Sequence, residues 1–294
     1  ITFTDLDGRL LALKPDVTLS IAKTAQPAPG ETLRYYYHEN VYRPSAESHT
    51  FKEISQMGLE VLGSVGEEEV QQVVCLAAQS LDAMGAEWVL EVSHMGYLFG
   101  LFDALGVPDT ARAELLNKLR EKNAHELRAA AKAAGLDDTA ADTLCSVLSL
   151  SGSYADTLAK AEALCKNDAM RAAAAELKAL AGPLADTSGV IRLDMTLAGE
   201  MEYYNGLVFQ GYLKALPRPL LKGGRYDLLM QKFTPGAGAI GFAVYLDELD
   251  RLSAPLPPVQ KNSTDRVMLN VALPKGRLGD KVYNLLAGIG YGCP

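Results

Sequence analysis

Gln56 and Glu60 stand four residues apart in "FKEISQMGLEVLG", a run that reads as a β-strand. Strand side chains alternate between faces, so the amide and the carboxylate fall on one side. A carboxylate next to a neutral acceptor suits a cation with N–H groups to donate. The same pair also suits a hydrated surface, and the spacing alone leaves both readings open. Tyr203 and Tyr204 are adjacent in "YYNGLVF", so one of them faces a core whichever way the other points. Lys275 and Arg277 lie in "LNVALPKGRLGDKVYNLL", which reads as an apolar strand, a basic turn and the opening of a helix. Backbone N–H groups and the helix dipole at such a turn favour anions; a plain basic surface turn is the alternative. His38, His49, His94 and His125 are scattered and do not pair with cysteines at ligand spacing, so no structural metal site is expected. Cys75, Cys145, Cys165 and Cys293 show no CxxC spacing and read as buried free thiols of a reducing compartment. No Ser/His/Asp constellation occurs.

The elements that must position these groups form an α+β pattern. Alternation around Asp7-Gly8 in "ITFTDLDGRLLALKPDVT" predicts a hairpin. "TLRYYYHENVYR" and "FKEISQMGLEVLG" read as strands, and "EEEVQQVVCLAAQSLDAMG" as an amphipathic helix with acids in its first turn. "EWVLEVSHMGYL" reads as a strand throughout. From about 109 to 185, Ala, Leu, Glu and Lys dominate, which predicts an all-helical insertion broken at Gly135 and near Ser151-Gly152. Strands return in "GVIRLDMTLAG", "YYNGLVFQGYL", "KGGRY" and "GAIGFAVY". Residues 253–265, "SAPLPPVQKNSTD", have the composition of a linker between a body at 1–252 and a new α/β start at 266–294. With 48% hydrophobic and 22% charged residues, the 294-residue chain suits soluble globular domains. No apolar run reaches the roughly 18 residues of a membrane span, and the net charge of −8 argues against general nucleic-acid binding. The first residue is Ile1, so a preceding segment stays open.

Taken in order, these segments resemble the catalytic body of histidyl-tRNA synthetase, a class II aminoacyl-tRNA synthetase. "LKPDVT" is similar to its Pro-acid-x-Thr element, and "VYRPSAESHTFKEISQMGLEVLG" to its motif 2. "YYNGLVF" is similar to its paired-tyrosine segment, and "GGRYDLLMQKF…GAIGFAVYLDEL" to its glycine-rich strand and motif 3. The resemblance implies an antiparallel class II sheet flanked by helices and lacking motif 1. It further implies a histidine pocket in which Asp16, Thr18 and Gln56 hold the ammonium. Glu60, Tyr204 and Tyr226, with Tyr203 beside them, line the imidazole, and Arg43 faces the carboxylate. Gly223 and Gly224 are read as allowing close strand approach, with a nucleotide role as the lesser alternative; Arg225 is either an ion-pair partner or a ligand contact.

Two departures bear on activity. Where the synthetase carries an arginine before the tyrosine pair, this sequence has Gly199; where its motif 3 carries a phosphate-gripping arginine, it has Glu248. Amino-acid activation builds negative charge that fixed cations must stabilise, so adenylation is not expected. The remaining pattern resembles the regulatory subunit of ATP phosphoribosyltransferase, the synthetase-like partner of the short-form enzyme that begins histidine biosynthesis. "VMLNVALPKGRLGDKVYNLLAGIGYGCP" is in turn similar to the start of the catalytic subunit, placing Lys275 and Arg277 at its nucleotide and phosphate site. The implied protein is a cytoplasmic, non-catalytic allosteric module fused to a truncated transferase. Its partner is the catalytic subunit, in a homo- or hetero-oligomer, and its effector is L-histidine; neither tRNA nor membrane is involved. No cofactor is expected in this fragment, and Mg is expected for the complete transferase. A divergent histidyl-tRNA synthetase is the alternative.

Overall fold

A computed structural model describes residues 2–44, 50–199 and 203–251. The expected linker at 253–265 and the α/β start at 266–294, with Cys293, Lys275 and Arg277, lie outside the described residues. β1 (Thr2–Thr4) and β2 (Leu10–Ala12) form a separate antiparallel hairpin. Its loop is longer than the dipeptide signal implies: Asp5 Oδ1 accepts the backbone N–H groups of Asp7 and Arg9 at 2.9 and 2.8 Å.

The body follows in chain order as α1 (Thr18–Thr24), β3 (Thr32–Pro44), β4 (Phe51–Gly63), α2 (Glu67–Asp82), β5 (Trp88–His94) and α3 (Met95–Ala104). Next come α4 (Asp109–Arg120), α5 (Ala124–Ala133), α6 (Asp138–Ser146), β6 (Ser151–Ser153), α7 (Tyr154–Leu164) and α8 (Asp168–Leu180). It closes with β7 (Val190–Asp194), β8 (Leu207–Leu213), β9 (Leu221–Arg225), α9 (Asp227–Gln231), β10 (Gly238–Tyr245) and α10 (Leu246–Leu249). The eight-stranded sheet runs β3-β4-β10-β9-β8-β5-β7-β6. Its pairings are antiparallel except β5 with β7, so the sheet is mixed rather than wholly antiparallel as expected. The cause is the helical region between them, whose length lets the chain return to the same end of the sheet.

Two readings need correction. The strand opened by Trp88 stops at His94, and Met95 begins α3. Met95, Leu98, Leu101 and Phe102 recur at helical spacing and are fully buried, so the apolar run belongs to a buried helix. The region from 109 to 185 is not purely helical either. Gly135 does close α5 with a φ of 87°, and four of the helices start on side-chain caps, Asn123, Asp137, Ser153 and Asn167. Between them, however, Ser151–Ser153 adds an edge strand to β7, and its last residue then caps α7.

One face of the sheet is covered by α2, α3 and α8. Val74, Ala78 and Leu81 from α2, Leu98 and Phe102 from α3, and Leu177 from α8 share a core with Leu59, Val61, Leu90 and Phe209 of the strands. The other face carries the short helices α1 and α9, which pack Ala22 and Met230 on Leu62, Tyr226 and Ala239. Beside that small cluster no helix among the described residues covers the sheet, and the candidate site lies there.

Candidate ligand-binding site

Strand register builds the site row by row. Tyr35, Glu60, Gly241 and Gly224 lie abreast on β3, β4, β10 and β9. In the next row stand Tyr37, Gly58, Ala243, Lys222 and Gln210, the last on β8, and in the third stand Gln56 and Tyr245. Each row advances by two residues, so all these side chains share one face. Glycine and alanine at its centre leave a hollow of about 430 Å³, ringed by polar groups. The residue type at 241 is dictated by this arrangement. A Cβ there would stand 1.9 Å from Glu60 Oε2 and 2.4 Å from the Leu59 carbonyl oxygen, so only glycine lets Glu60 occupy its place.

Glu60 forms the closed inner end, 2% exposed. Its Oε1 accepts from Thr18 Oγ1 at 2.5 Å and its Oε2 from Tyr226 Oη at 2.5 Å. Burial raises its pKa to about 7, against the lowering effect of those two hydrogen bonds, with the Asp16 carboxylate adding to the rise. The phenols facing it respond in the same sense: burial first, then the nearby Glu60 charge, drives Tyr37, Tyr203 and Tyr226 well above the ordinary tyrosine value. Gln56 is equally buried at 2%, which decides the question its spacing left open. Glu60 and Gln56 face a cavity, not hydrated surface. Asp16 approaches from the turn before α1; its Oδ1 accepts the Leu19 N–H at 2.7 Å and its Oδ2 pairs with Arg43 Nη2 at 3.2 Å. Arg43 Nε also donates to the Pro15 carbonyl at 3.1 Å. The wall is aromatic: Tyr203 meets Tyr204 edge-on with centroids 4.7 Å apart and lies 5.5 Å from Tyr226.

All eight residues expected to bind histidine, Asp16, Thr18, Arg43, Gln56, Glu60, Tyr203, Tyr204 and Tyr226, line this one cavity. Sequence reasoning missed Tyr37, Gln210, Lys222 and Tyr245, whose shared face follows from register, and Arg120, which α4 delivers from the helical region. Arg120 bears directly on the expected loss of positive charge. Its Nε and Nη2 donate to the carbonyls of Ala198 and Gly199, so a guanidinium stands beside the very position where glycine replaces arginine. With Arg43 and Lys222 also in the lining, the cavity is not stripped of cations. Glu248 departs from expectation in another way. It lies on α10, pairs with Arg251 at 3.1 Å and is not among the residues that line the cavity.

The remaining candidates are structural. A Cβ at Gly223 would meet the Phe209 ring at 2.4 Å, and one at Gly224 the Leu207 carbonyl at 2.6 Å; both serve close packing. Arg225 points to the helical side, pairing with Asp227 at 2.7 Å and reaching Glu176, which also bonds His94 at 3.1 Å. Cys75, Cys145 and Cys165 are free and half-buried rather than fully buried. Among the described residues no group of three or more His, Cys, Asp or Glu side chains is placed to hold a metal, and no helix is long and apolar enough to cross a membrane.

Chemically, the cavity offers a carboxylate and neutral acceptors at depth, flat walls, and guanidinium groups toward solvent. That is the complement of a zwitterion with a polar ring. Residues 1–249 match the histidyl-tRNA synthetase family model. The ATP phosphoribosyltransferase regulatory subunit of Symbiobacterium thermophilum is 32% identical over 84% of this chain and 63% of its own length. The chain thus spans somewhat under two thirds of that relative. A solved ATP phosphoribosyltransferase regulatory subunit/histidyl-tRNA synthetase from Bacillus halodurans is 32% identical, covering 86% of this chain and 68% of that one, with a TM-score of 0.72. A chain in an ATP phosphoribosyl transferase complex from Thermotoga maritima shares the fold, with a TM-score of 0.67 at 18% identity over 83% of this chain and 84% of that one.

Proposed function

The chain belongs to the histidyl-tRNA synthetase family, and from that premise we propose that it is the regulatory subunit of ATP phosphoribosyltransferase, binding L-histidine as effector. The observation that carries this reading is the convergence of Asp16, Thr18, Gln56, Glu60 and Tyr226 on one polar cavity, with Gln56, Glu60 and Tyr226 buried. Asp16 and Gln56 receive the ammonium. The imidazole enters against Tyr203, Tyr204 and Tyr226 and exchanges a hydrogen bond with Glu60. Asp16 and Arg43, paired at 3.2 Å, present opposite charges side by side, as the two ends of an amino acid's backbone require. Its partner is the catalytic subunit, in a hetero-oligomer; a chain of similar fold lies in the ATP phosphoribosyl transferase complex from Thermotoga maritima. The segment 266–294 is the beginning of that catalytic subunit, joined through the Pro-rich linker. Feedback control requires that histidine bind one state of the complex better than the other, and a coupling of about 1–3 kcal/mol suffices.

Calorimetry tests the reading. The chain is expected to bind L-histidine at one site and to form no adenylate from histidine and ATP. A protein that ignores histidine, or that supports histidine-dependent pyrophosphate exchange, would sink it. The second outcome would favour a divergent synthetase, for which the cations Arg43, Arg120 and Lys222 in the cavity are the specific support.

A further inference from the structure

Arg120 is the last residue of α4, about eighty positions before the loop it holds. Its Nε donates to the Ala198 carbonyl at 2.9 Å, its Nη2 to the Gly199 carbonyl, and its Nη1 to Asn117 Oδ1 at 3.2 Å. Its hydrogen bonds to described residues all go to neutral oxygens. Among the described residues these three contacts orient the guanidinium without a carboxylate partner, and they use three of its five N–H groups. The placement is secured a second time. Lys122, two residues on, adopts a left-handed backbone with φ 53° and binds the buried Asp194 at 2.6 Å. Asp194 in turn accepts from the Thr196 hydroxyl at 2.5 Å and its N–H at 3.0 Å, directly before the 198–199 loop. An unfavourable conformation for a non-glycine residue, held by an ion pair from an exposed lysine to a buried carboxylate, pins the end of α4 against the rim of the cavity. Position 199 has no room to supply a cation of its own: a Cβ there would lie 2.5 Å from the Tyr204 ring.

We propose that Arg120 is a ligand-binding residue: the outer anion-holding group of the cavity, which takes the carboxylate of an amino acid whose polar ring reaches Glu60. This rests on the reading of the cavity as an amino-acid site. The burial gradient supports it, because Glu60 and Tyr226 close the inner end while Arg120 stands exposed. An α-amino acid with a polar side chain bound ring-first therefore leaves its charged backbone groups among Asp16, Arg43 and Arg120. It also makes the helical region part of the binding site, so that ligand binding ties α4 to the loop at 198–199.

The test uses titration calorimetry with L-histidine and with histamine, which keeps the ring and ammonium but lacks the carboxylate. Arg120→Gln retains hydrogen bonds to the carbonyls without the charge, and Arg120→Lys restores a cation; thermal unfolding verifies that both fold. Because Arg120 is exposed, screening limits its worth, and Arg120→Gln is expected to weaken histidine roughly five- to tenfold at low salt. Histamine binding should stay unchanged, and Arg120→Lys should regain most of the loss. Histidine affinity unchanged in Arg120→Gln would overturn the assignment, and so would an equal loss for both ligands, which marks a purely structural role. If the unaltered chain binds neither ligand, the amino-acid reading itself falls and Arg120's role with it.

Discussion

Replacing Glu60 by glutamine is the most direct probe of the cavity's electrostatics. The wild-type carboxyl has a pKa near 7 in the folded protein, raised chiefly by burial, against 4.5 as its ordinary value. Between those values the folded chain holds a proton that the unfolded chain has released, so stability falls as pH rises. The contribution is fully present below about pH 4.5 and lost once pH has passed about 7. At about 1.4 kcal/mol per pH unit, the gap amounts to about 3 kcal/mol. Glu60→Gln removes the titration while keeping the shape. Some cost from exchanging the acceptors of Thr18 and Tyr226 is expected, but it is independent of pH. Urea unfolding of both proteins at pH 5, 6, 7 and 8 isolates the effect, because groups elsewhere cancel in the difference. Relative to wild type, the variant should gain about 3 kcal/mol between pH 5 and pH 8. Parallel stability curves would show that Glu60 titrates normally and is not enclosed as described.

Two further substitutions probe the same geometry. Tyr226→Phe deletes the donor to Glu60 Oε2 and should cost about 1–3 kcal/mol of stability above pH 7, where the carboxylate is charged, and less at pH 5; urea unfolding at the two pH values checks the difference. Gly241→Ala forces a methyl group into Glu60 and the Leu59 carbonyl, and should cost about 1–3 kcal/mol by overpacking while abolishing histidine binding. Thermal unfolding and calorimetry read the two effects, and a well-folded Gly241→Ala protein with intact binding would refute the close approach.

The inner end of the site was legible because strand periodicity is local. The alternation that puts Gln56 and Glu60 on one face needs only their own segment, and Gly58 between them makes room for the Tyr37 ring. The resemblance brought in Asp16, Thr18, Arg43 and the tyrosines, and strand pairing then explains why these distant segments meet. What stayed hidden depends on long-range packing. Arg120 lies in a region whose composition announces helices and nothing more, and no local signal relates it to Gly199. The edge strand at Ser151–Ser153 was equally silent, since two serines and a glycine have little strand preference and pair because β7 presents a free edge. Met95 failed for the opposite reason: a short apolar run fits a buried strand or a buried helix equally well.

These hidden residues change the argument about activity. Read from sequence, the departures at 199 and 248 subtract two cations from a synthetase-like cavity. In the fold, the first is answered by Arg120, and Glu248 stands outside the cavity lining, paired with Arg251. A regulatory role therefore cannot rest on missing charge alone. What distinguishes the two functions is whether fixed cations are aimed at the place where charge develops during reaction. Arg43 is paired with Asp16, and Arg120 is anchored to two backbone carbonyls through an element pinned by Lys122 and Asp194. Adenylation would need one of them aimed at the α-phosphate of a nucleotide, and these contacts turn them instead to Asp16 and to backbone carbonyls. The pyrophosphate-exchange experiment thus tests the arrangement of the cations, not their number.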